Sequence, residues 1–146
     1  MQIAICELRL ERPVDERELI DRTKQFALRV IKLVGALPRT IEGRAIAGQL
    51  MRSGASVAAN YRAACRGRSK AEFIAKLGTV EEEADESAFW LELLIEAEIL
   101  ATVRIQPLLL EARELVAIMA ASKKTAAGTE INRNLQIASR KSLEDL

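Results

Sequence analysis

The sequence predicts an all-α protein, an antiparallel up-down four-helix bundle. Apolar positions recur in alternating steps of four and three residues over four long segments, which places each set on one face of a helix. Glycine and proline are scarce, with 7 and 3 residues in a chain of 146, and some of them separate these segments. Hydrophobic residues make up 49% of the chain and charged residues 29%, a composition typical of one folded domain of this length.

The first two helices are predicted over residues 15–37 and 41–66. Asp15 is a residue type that caps helices, Pro38 follows the end of the first helix, and Gly67 ends the second. The apolar face of the first helix holds Leu19, Thr23, Phe26, Val30, Leu33 and Leu37. The corresponding face of the second helix holds Ile46, Leu50, Ser53, Val57, Asn60 and Ala64.

The other two helices are predicted over residues 69–102 and 107–127. Ser69 with Glu72 forms a capping box, Pro107 fits a first helical turn, and Gly128 fits a helix stop. The third apolar face holds Phe73, Leu77, Val80, Ala84, Ser87, Leu91 and Leu94, and the fourth holds Leu109, Ala112, Val116 and Met119. The short connections predict that neighbouring helices run antiparallel.

The predicted helices divide the chain into an N-terminal arm, residues 1–14, the four-helix bundle, residues 15–127, and a polar C-terminal tail, residues 128–146. The segment MQIAICELRL lacks the basic start of a secretory signal, and Glu7 and Arg9 interrupt its apolar residues. No run of about 18 apolar residues occurs, so we expect no membrane span. These features favour a cytoplasmic protein with reduced thiols.

Composition excludes most catalytic and metal-binding chemistry. The chain has no histidine, the commonest general base and metal ligand. Its two cysteines, Cys6 and Cys65, cannot supply a four-thiolate zinc site. Glycine-rich phosphate loops and nucleophile elbows are absent from the sequence. We therefore expect no catalytic residues, no metal, no cofactor and no enzymatic activity.

Charge is distributed unevenly although the whole chain carries only +1. Residues 39–76 carry a net charge of +6, and residues 77–103 a net charge of −8. The two segments can neutralise each other as packed helices. Alternatively, basic residues around the second turn form a basic end that binds phosphates of RNA or DNA. The candidate nucleic-acid-binding residues are Arg62, Arg66, Arg68 and Lys70.

A second apolar stripe lies beside the buried face of the third helix. A helix that is apolar on two faces usually has another partner, and tryptophan is enriched at interfaces. Contact between copies of the chain is therefore the favoured interpretation, and a wide core is the alternative. The candidate interface residues are Phe89, Trp90, Leu93 and Ala97.

Residues 49–97 resemble the four-helix-bundle proteins encoded by intervening sequences of bacterial 23S rRNA genes, a family that includes relatives of the accessory variability protein of diversity-generating retroelements. The resemblance is carried by Gln49, Arg52, Ser56, Asn60, Arg68, Ser69, Phe73, Glu83 and Glu86. It implies a homo-oligomeric ring, often a pentamer, without established enzyme activity. Retroelement relatives bind nucleic acid and a reverse transcriptase through basic surface.

The same resemblance suggests a buried polar network. Asn60 falls within the apolar face of its helix, where a polar residue more often fixes register than performs chemistry. The predicted network consists of Arg52, Ser56, Asn60, Glu83 and Glu86. Many members carry a glutamate three residues after the asparagine, whereas this chain has Ala63.

Two functions remain open at the level of sequence. The first is a non-enzymatic homo-oligomer that binds RNA or DNA through the basic end. The second is a structural scaffold, or a module that binds an unidentified protein partner, without nucleic-acid binding. Binding to structured RNA at two salt concentrations distinguishes them, because contacts to phosphates weaken steeply as salt rises.

Overall fold

Four helices account for the regular structure of the residues that the computed structural model describes, 14–144. They are α1 (Glu16–Gly35), α2 (Ile41–Cys65), α3 (Lys70–Glu96) and α4 (Thr102–Glu144). No strand occurs within that range, so the predicted all-α fold with four helices is confirmed. The predicted N-terminal arm, except Val14, lies outside the described residues.

The core forms where the predicted apolar faces of the helices meet. α3 lies between α2 and α4 and packs extensively against both, whereas α1 packs mainly on α2. Leu50 and Leu77 are fully buried, as the spacing predicted. Ile105, Leu108, Leu115 and Ile118 are also buried, so the buried face of α4 is wider than the predicted one.

Two small residues of α2 allow close approach of its neighbours. A Cβ atom built at Gly54 would lie 2.8 Å from a γ-methyl carbon of Val30 in α1. At the preceding position, the hydroxyl of Ser87 in α3 donates to the hydroxyl of Ser53 at 2.9 Å. Both serines are fully buried, and the hydrogen bond satisfies polar groups that would otherwise be unpaired in the core.

Local capping explains where two of the helices begin. Asp15 occupies the N-cap of α1 but makes no side-chain hydrogen bond there. Thr40 caps α2, since its hydroxyl accepts from the backbone N–H of Gly43 at 3.1 Å. Ser69 accepts from the N–H of Glu72. The Glu72 carboxylate accepts from the N–H of Arg68 rather than from Ser69, so the predicted capping box is shifted by one residue.

The third helix ends at Glu96 instead of the predicted residue 102. The N–H of Glu98 donates to the carbonyl of Ile95, and the N–H of Ile99 donates to that of Leu94. This is the hydrogen-bond pattern of a Schellman motif, whose left-handed position is usually glycine. Here that position is Glu98, with φ of 55°, so the sequence lacks the usual signal for the turn.

The fourth helix is twice as long as predicted and passes through both expected boundary residues. It begins at Thr102, so Pro107 lies inside the helix rather than in its first turn. Pro107 removes a hydrogen bond to the carbonyl of Val103, a residue that is 79% exposed. Gly128 does not stop the helix, which continues to Glu144. Residues 131–141 of the predicted tail are helical and exposed.

Candidate functional site

The predicted basic end is formed by the last turn of α2, the following connection and the first residue of α3. Arg62 is in α2, Arg66 is its C-cap, Arg68 lies in the connection and Lys70 begins α3. All four residues are exposed. Because α2 and α3 are antiparallel, the four cations lie at one end of the bundle.

These four cations have no ion pair with other described residues. The ion pairs of the described part of the chain instead use Arg22, Arg52, Arg113 and Lys123. Their acidic partners lie mainly on α3 and α4, away from the connection between α2 and α3. The charges of the basic end are thus directed to solvent.

The first turn of α1 brings acidic residues to the same end, which sequence analysis did not anticipate. Glu16 lies close enough to Tyr61 and Cys65 of α2 to contribute to their titration. Burial is the main cause that raises the pKa of both groups, and the negative charge of Glu16 raises it further. The basic end therefore has an acidic flank on its α1 side.

Neutralisation between the basic and acidic segments occurs in the middle of the bundle. Arg52 of α2 pairs with Glu83 at 3.2 Å and also with Glu86, both on α3. The guanidinium of Arg52 holds the pKa of Glu86 below its usual value, with a further contribution from the Trp90 N–H. Other α3 acids pair with α4, as Glu92 does with Arg113 at 2.9 Å.

This cluster does not form the buried five-residue network that sequence analysis predicted. In the single chain the side chain of Arg52 is 49% exposed. The Asn60 amide donates to the backbone carbonyl of Ser56, and neither residue joins the ion pairs. The buried polar pair is Ser53 with Ser87. Both residues were recognised only as members of apolar faces, because their mutual contact depends on how α2 and α3 are aligned.

The predicted interface stripe on α3 is partly exposed. Phe89 is 50% exposed and packs edge-to-face on half-buried Trp90, with ring centroids 5.0 Å apart. The indole N–H of Trp90 donates to the Glu86 carboxylate at 3.2 Å. Leu93 is half-buried and Ala97 is exposed. An aromatic surface next to the Arg52 cluster therefore faces solvent in the single chain.

A cavity of about 470 Å³ opens between the helices near the basic end. Leu19 of α1, Phe73 and Leu77 of α3, and Ile118 of α4 form part of its apolar wall, and Lys70 also lines it. Sequence analysis did not identify this cavity, because residues far apart in the chain form its wall.

The described residues offer no group of three or more histidine, cysteine or acidic side chains that could hold a metal ion. None of the helices in residues 14–144 combines the length and apolarity needed to cross a membrane.

A family model described as 23S rRNA-intervening sequence protein matches residues 15–121. The chain belongs to this family. A similar solved structure is a protein of unknown function from the S23 ribosomal protein family of Bacteroides thetaiotaomicron VPI-5482. It is 30% identical, with a TM-score of 0.70, and the match covers 75% of this chain and 97% of that one. No curated protein matches the chain.

These comparisons assign a family but no biochemical activity. Neither the 23S rRNA-intervening sequence protein family nor the similar structure is described as an enzyme. The family match ends at residue 121, whereas α4 continues to Glu144. The last turns of α4 therefore lie outside the part of the chain that the family model covers.

Proposed function

We propose that this family member is a non-enzymatic protein that binds structured RNA or DNA through the phosphates of the backbone. The observation that carries the proposal is the basic end. Arg62, Arg66, Arg68 and Lys70 are exposed around one turn and form no ion pair with described residues. Arginine and lysine in such a cluster release counterions when they bind phosphates, which supplies affinity without base recognition.

The acidic residues of α3 from Glu81 onwards are too distant to weaken phosphate binding at the basic end strongly. Glu81 is 11 residues beyond Lys70 on the same helix, about 16 Å by helical rise. This separation exceeds the Debye length of about 8 Å at physiological ionic strength. The acidic flank on α1 is closer, so we expect modest affinity from a single chain.

Binding should tolerate different sequences. Tyr61 is buried and Phe73 is half-buried, so the aromatic rings at this end are poorly placed to stack on bases. Recognition of RNA bases depends largely on such stacking in single-stranded regions. Contacts to phosphates should therefore dominate, and structured RNA and duplex DNA should both bind.

The test is filter binding of an RNA hairpin and a DNA duplex over a range of salt concentrations. Four phosphate contacts predict that the logarithm of the affinity falls with the logarithm of salt with a slope of roughly −3 to −4. The triple variant Arg66→Glu, Lys70→Glu and Arg68→Glu should lose binding. A control that reverses Arg29, Lys32 and Arg104, which are exposed at the opposite end of the bundle, changes the net charge by the same amount and should retain most of it.

Equal binding by the triple variant and the parent would reject the proposal. Absence of binding by the parent at low salt would favour the structural scaffold or protein-binding module instead. Circular dichroism of each variant shows whether the helices are retained, so that loss of binding can be separated from loss of folding.

A second proposal is that copies of the chain associate through the α3 stripe, in a ring that the family resemblance suggests is a pentamer. The half-exposed Phe89 beside Trp90 supports it, since aromatic residues are enriched at interfaces. Phe89→Glu should lower the mass measured by light scattering, because it would bury an unpaired carboxylate in this contact. Asp85→Asn, on the exposed surface one turn away, should leave it unchanged. An unchanged mass for Phe89→Glu would reject this interface.

A further inference from the structure

The outward face of α4 carries an apolar stripe that the single chain leaves uncovered. Val103, Leu110, Ile131 and Leu135 are 79%, 55%, 59% and 63% exposed. They belong to a series of positions separated alternately by four and three residues, the spacing that keeps side chains on one side of a helix that packs against another. The stripe spans the helix from its first turn to the segment beyond the family match.

The middle of this stripe is made of small side chains. Ala117 and Ala121 are exposed, and a Cβ atom built at Gly128 meets nothing within 4 Å. The buried positions of α4, such as Leu115 and Met119, lie on its other side. Small residues in the middle would let a second helix approach closely, while the larger ones near both ends would supply apolar contact.

The stripe is self-complementary if two copies of α4 pack antiparallel and the twofold axis between them passes at the level of Met119. Val103 then lies opposite Leu135 of the partner subunit, and Ala117 lies opposite Ala121 of the partner subunit. Leu110 faces Gly128 of the partner subunit, so a large side chain meets the position without one. The same twofold operation repeats each contact, as a closed dimer requires.

The two charged positions of the stripe select this orientation. In the antiparallel pair Glu114 faces Lys124 of the partner subunit, so opposite charges meet. In a parallel pair in register, Glu114 would face Glu114 of the partner subunit, and the lysines would also face each other. Lys124 is exposed without an ion pair to described residues. Glu114 pairs with Arg22 of its own chain at 2.9 Å, but its side chain is still 29% exposed and Arg22 is shared with Glu111, so the site keeps a net negative charge for Lys124 of the partner subunit. Charge complementarity of this kind chiefly fixes partner and orientation.

The end of α4 gives a further reason to expect a partner. Residues 131–141 are exposed throughout, whereas most of the stability of a helix in a protein comes from packing of its apolar face. In the antiparallel pair, Ile131 and Leu135 rest on the first turns of α4 in the other copy. We propose that the protein forms a homodimer through antiparallel packing of the outward faces of α4, an interface separate from the α3 stripe and the basic end.

Cross-linking of cysteine variants tests the arrangement directly. In a background with Cys6→Ser and Cys65→Ser, one protein carries Val103→Cys and another carries Leu135→Cys. A short bismaleimide should produce covalent dimers from the mixture, because these two positions are opposite. Either variant alone should give few dimers, since its two cysteines would be about 48 Å apart along the helix axis. All three samples are compared at the same total protein concentration.

Two adjacent positions provide a matched test by light scattering. Leu135 and Gln136 are both exposed in the single chain, so glutamate at either position should leave the bundle folded. In a Phe89→Glu background, which removes the proposed α3 contact, Leu135→Glu should weaken self-association at least tenfold, whereas Gln136→Glu, outside the stripe, should change it less than twofold.

Three results would overturn the inference. Stronger cross-linking of the Leu135→Cys protein alone would mean that the ends of α4 pair with each other. A monomeric mass for the parent protein at micromolar concentration would mean that no such dimer forms. An oligomeric parent without cross-links in the mixture would leave association to another surface, such as the α3 stripe. Nucleic-acid binding is measured separately and is unaffected by any of these outcomes.

Discussion

At the scale of single residues, Gly54 and Gly48 make a matched pair on the same helix. Gly54→Ala would force its new methyl group against Val30, and overpacking of this kind costs about 1–3 kcal/mol. Gly48→Ala meets nothing within 4 Å and should stabilise the protein by up to about 1 kcal/mol through helix propensity. Urea unfolding of both variants checks the prediction. Equal effects would mean that α1 and α2 do not approach closely at Gly54.

Glu98 adopts a backbone conformation that is unfavourable for a residue with a side chain. Its φ of 55° is the left-handed conformation that glycine adopts without strain. It also places a negative charge near the helix end, where the dipole favours cations. Glu98→Gly should therefore raise the free energy of unfolding by about 1 kcal/mol. Glu96→Gly, two residues earlier in α3, should lower it by a similar amount, and a gain at both sites would contradict the proposed turn.

For individual polar residues, sequence analysis predicted the helix face but not the hydrogen-bond partner. Ser53 and Asn60 were both predicted on the apolar face of α2. Ser53 is fully buried with a partner on α3, whereas Asn60 bonds only to its own helix. Helical spacing shows on which face of its helix a residue lies. The partner of that residue depends on how far the neighbouring helix is shifted along its axis, and spacing does not provide this shift.

At the scale of helices, the α2–α3 contact should depend strongly on its buried leucines. Leu50 is fully buried, and Leu50→Ala should lower the free energy of unfolding by about 2–5 kcal/mol. Ile41, at the start of the same helix, is 83% exposed, so Ile41→Ala should change it by less than about 0.5 kcal/mol. Thermal or urea unfolding gives both values, and similar losses would mean that the buried face is wrongly assigned.

The ion pair between α2 and α3 predicts that the stability of the protein depends weakly on pH in the acidic range. The pKa of Glu86 is lowered in the folded protein, chiefly by its hydrogen bond to Arg52. Its contribution to stability is therefore present above the ordinary value of 4.5 and disappears as the pH falls through the lower folded value. The effect should be small, because solvent screens both partners. Glu86→Gln should reduce the loss of stability below pH 4.5, and an unchanged pH profile would contradict this linkage.

Helix boundaries were predicted less well than helix faces. Thr40 and Ser69 cap their helices through local hydrogen bonds, so sequence identifies those starts. The end of α3 depends on a glutamate in a conformation normally taken by glycine. Gly128 is compatible with a helix interior at a cost of about 1 kcal/mol. Because a helix stop was assumed there, the stripe that continues across it on α4 was not recognised.

At the scale of the whole molecule, the sequence predicted the bundle and the cations of its basic end. Both follow from the order and orientation of consecutive helices. The acidic flank from α1 was missed, because Glu16 and Cys65 are far apart in sequence and meet only through packing of α1 on α2. The balance of charge at this end is therefore a tertiary property, and it sets the affinity that the salt titration will measure.

The length of α4 also determines how the protein moves in solution. A helix of 43 residues is about 64 Å long, while the other three helices have 20 to 27 residues. Such a rod increases friction without adding mass, so diffusion should be slower than that of a sphere of equal mass. Gel filtration alone would consequently overestimate the number of chains. Sedimentation velocity should yield a raised frictional ratio, and removing residues 131–146 should lower it.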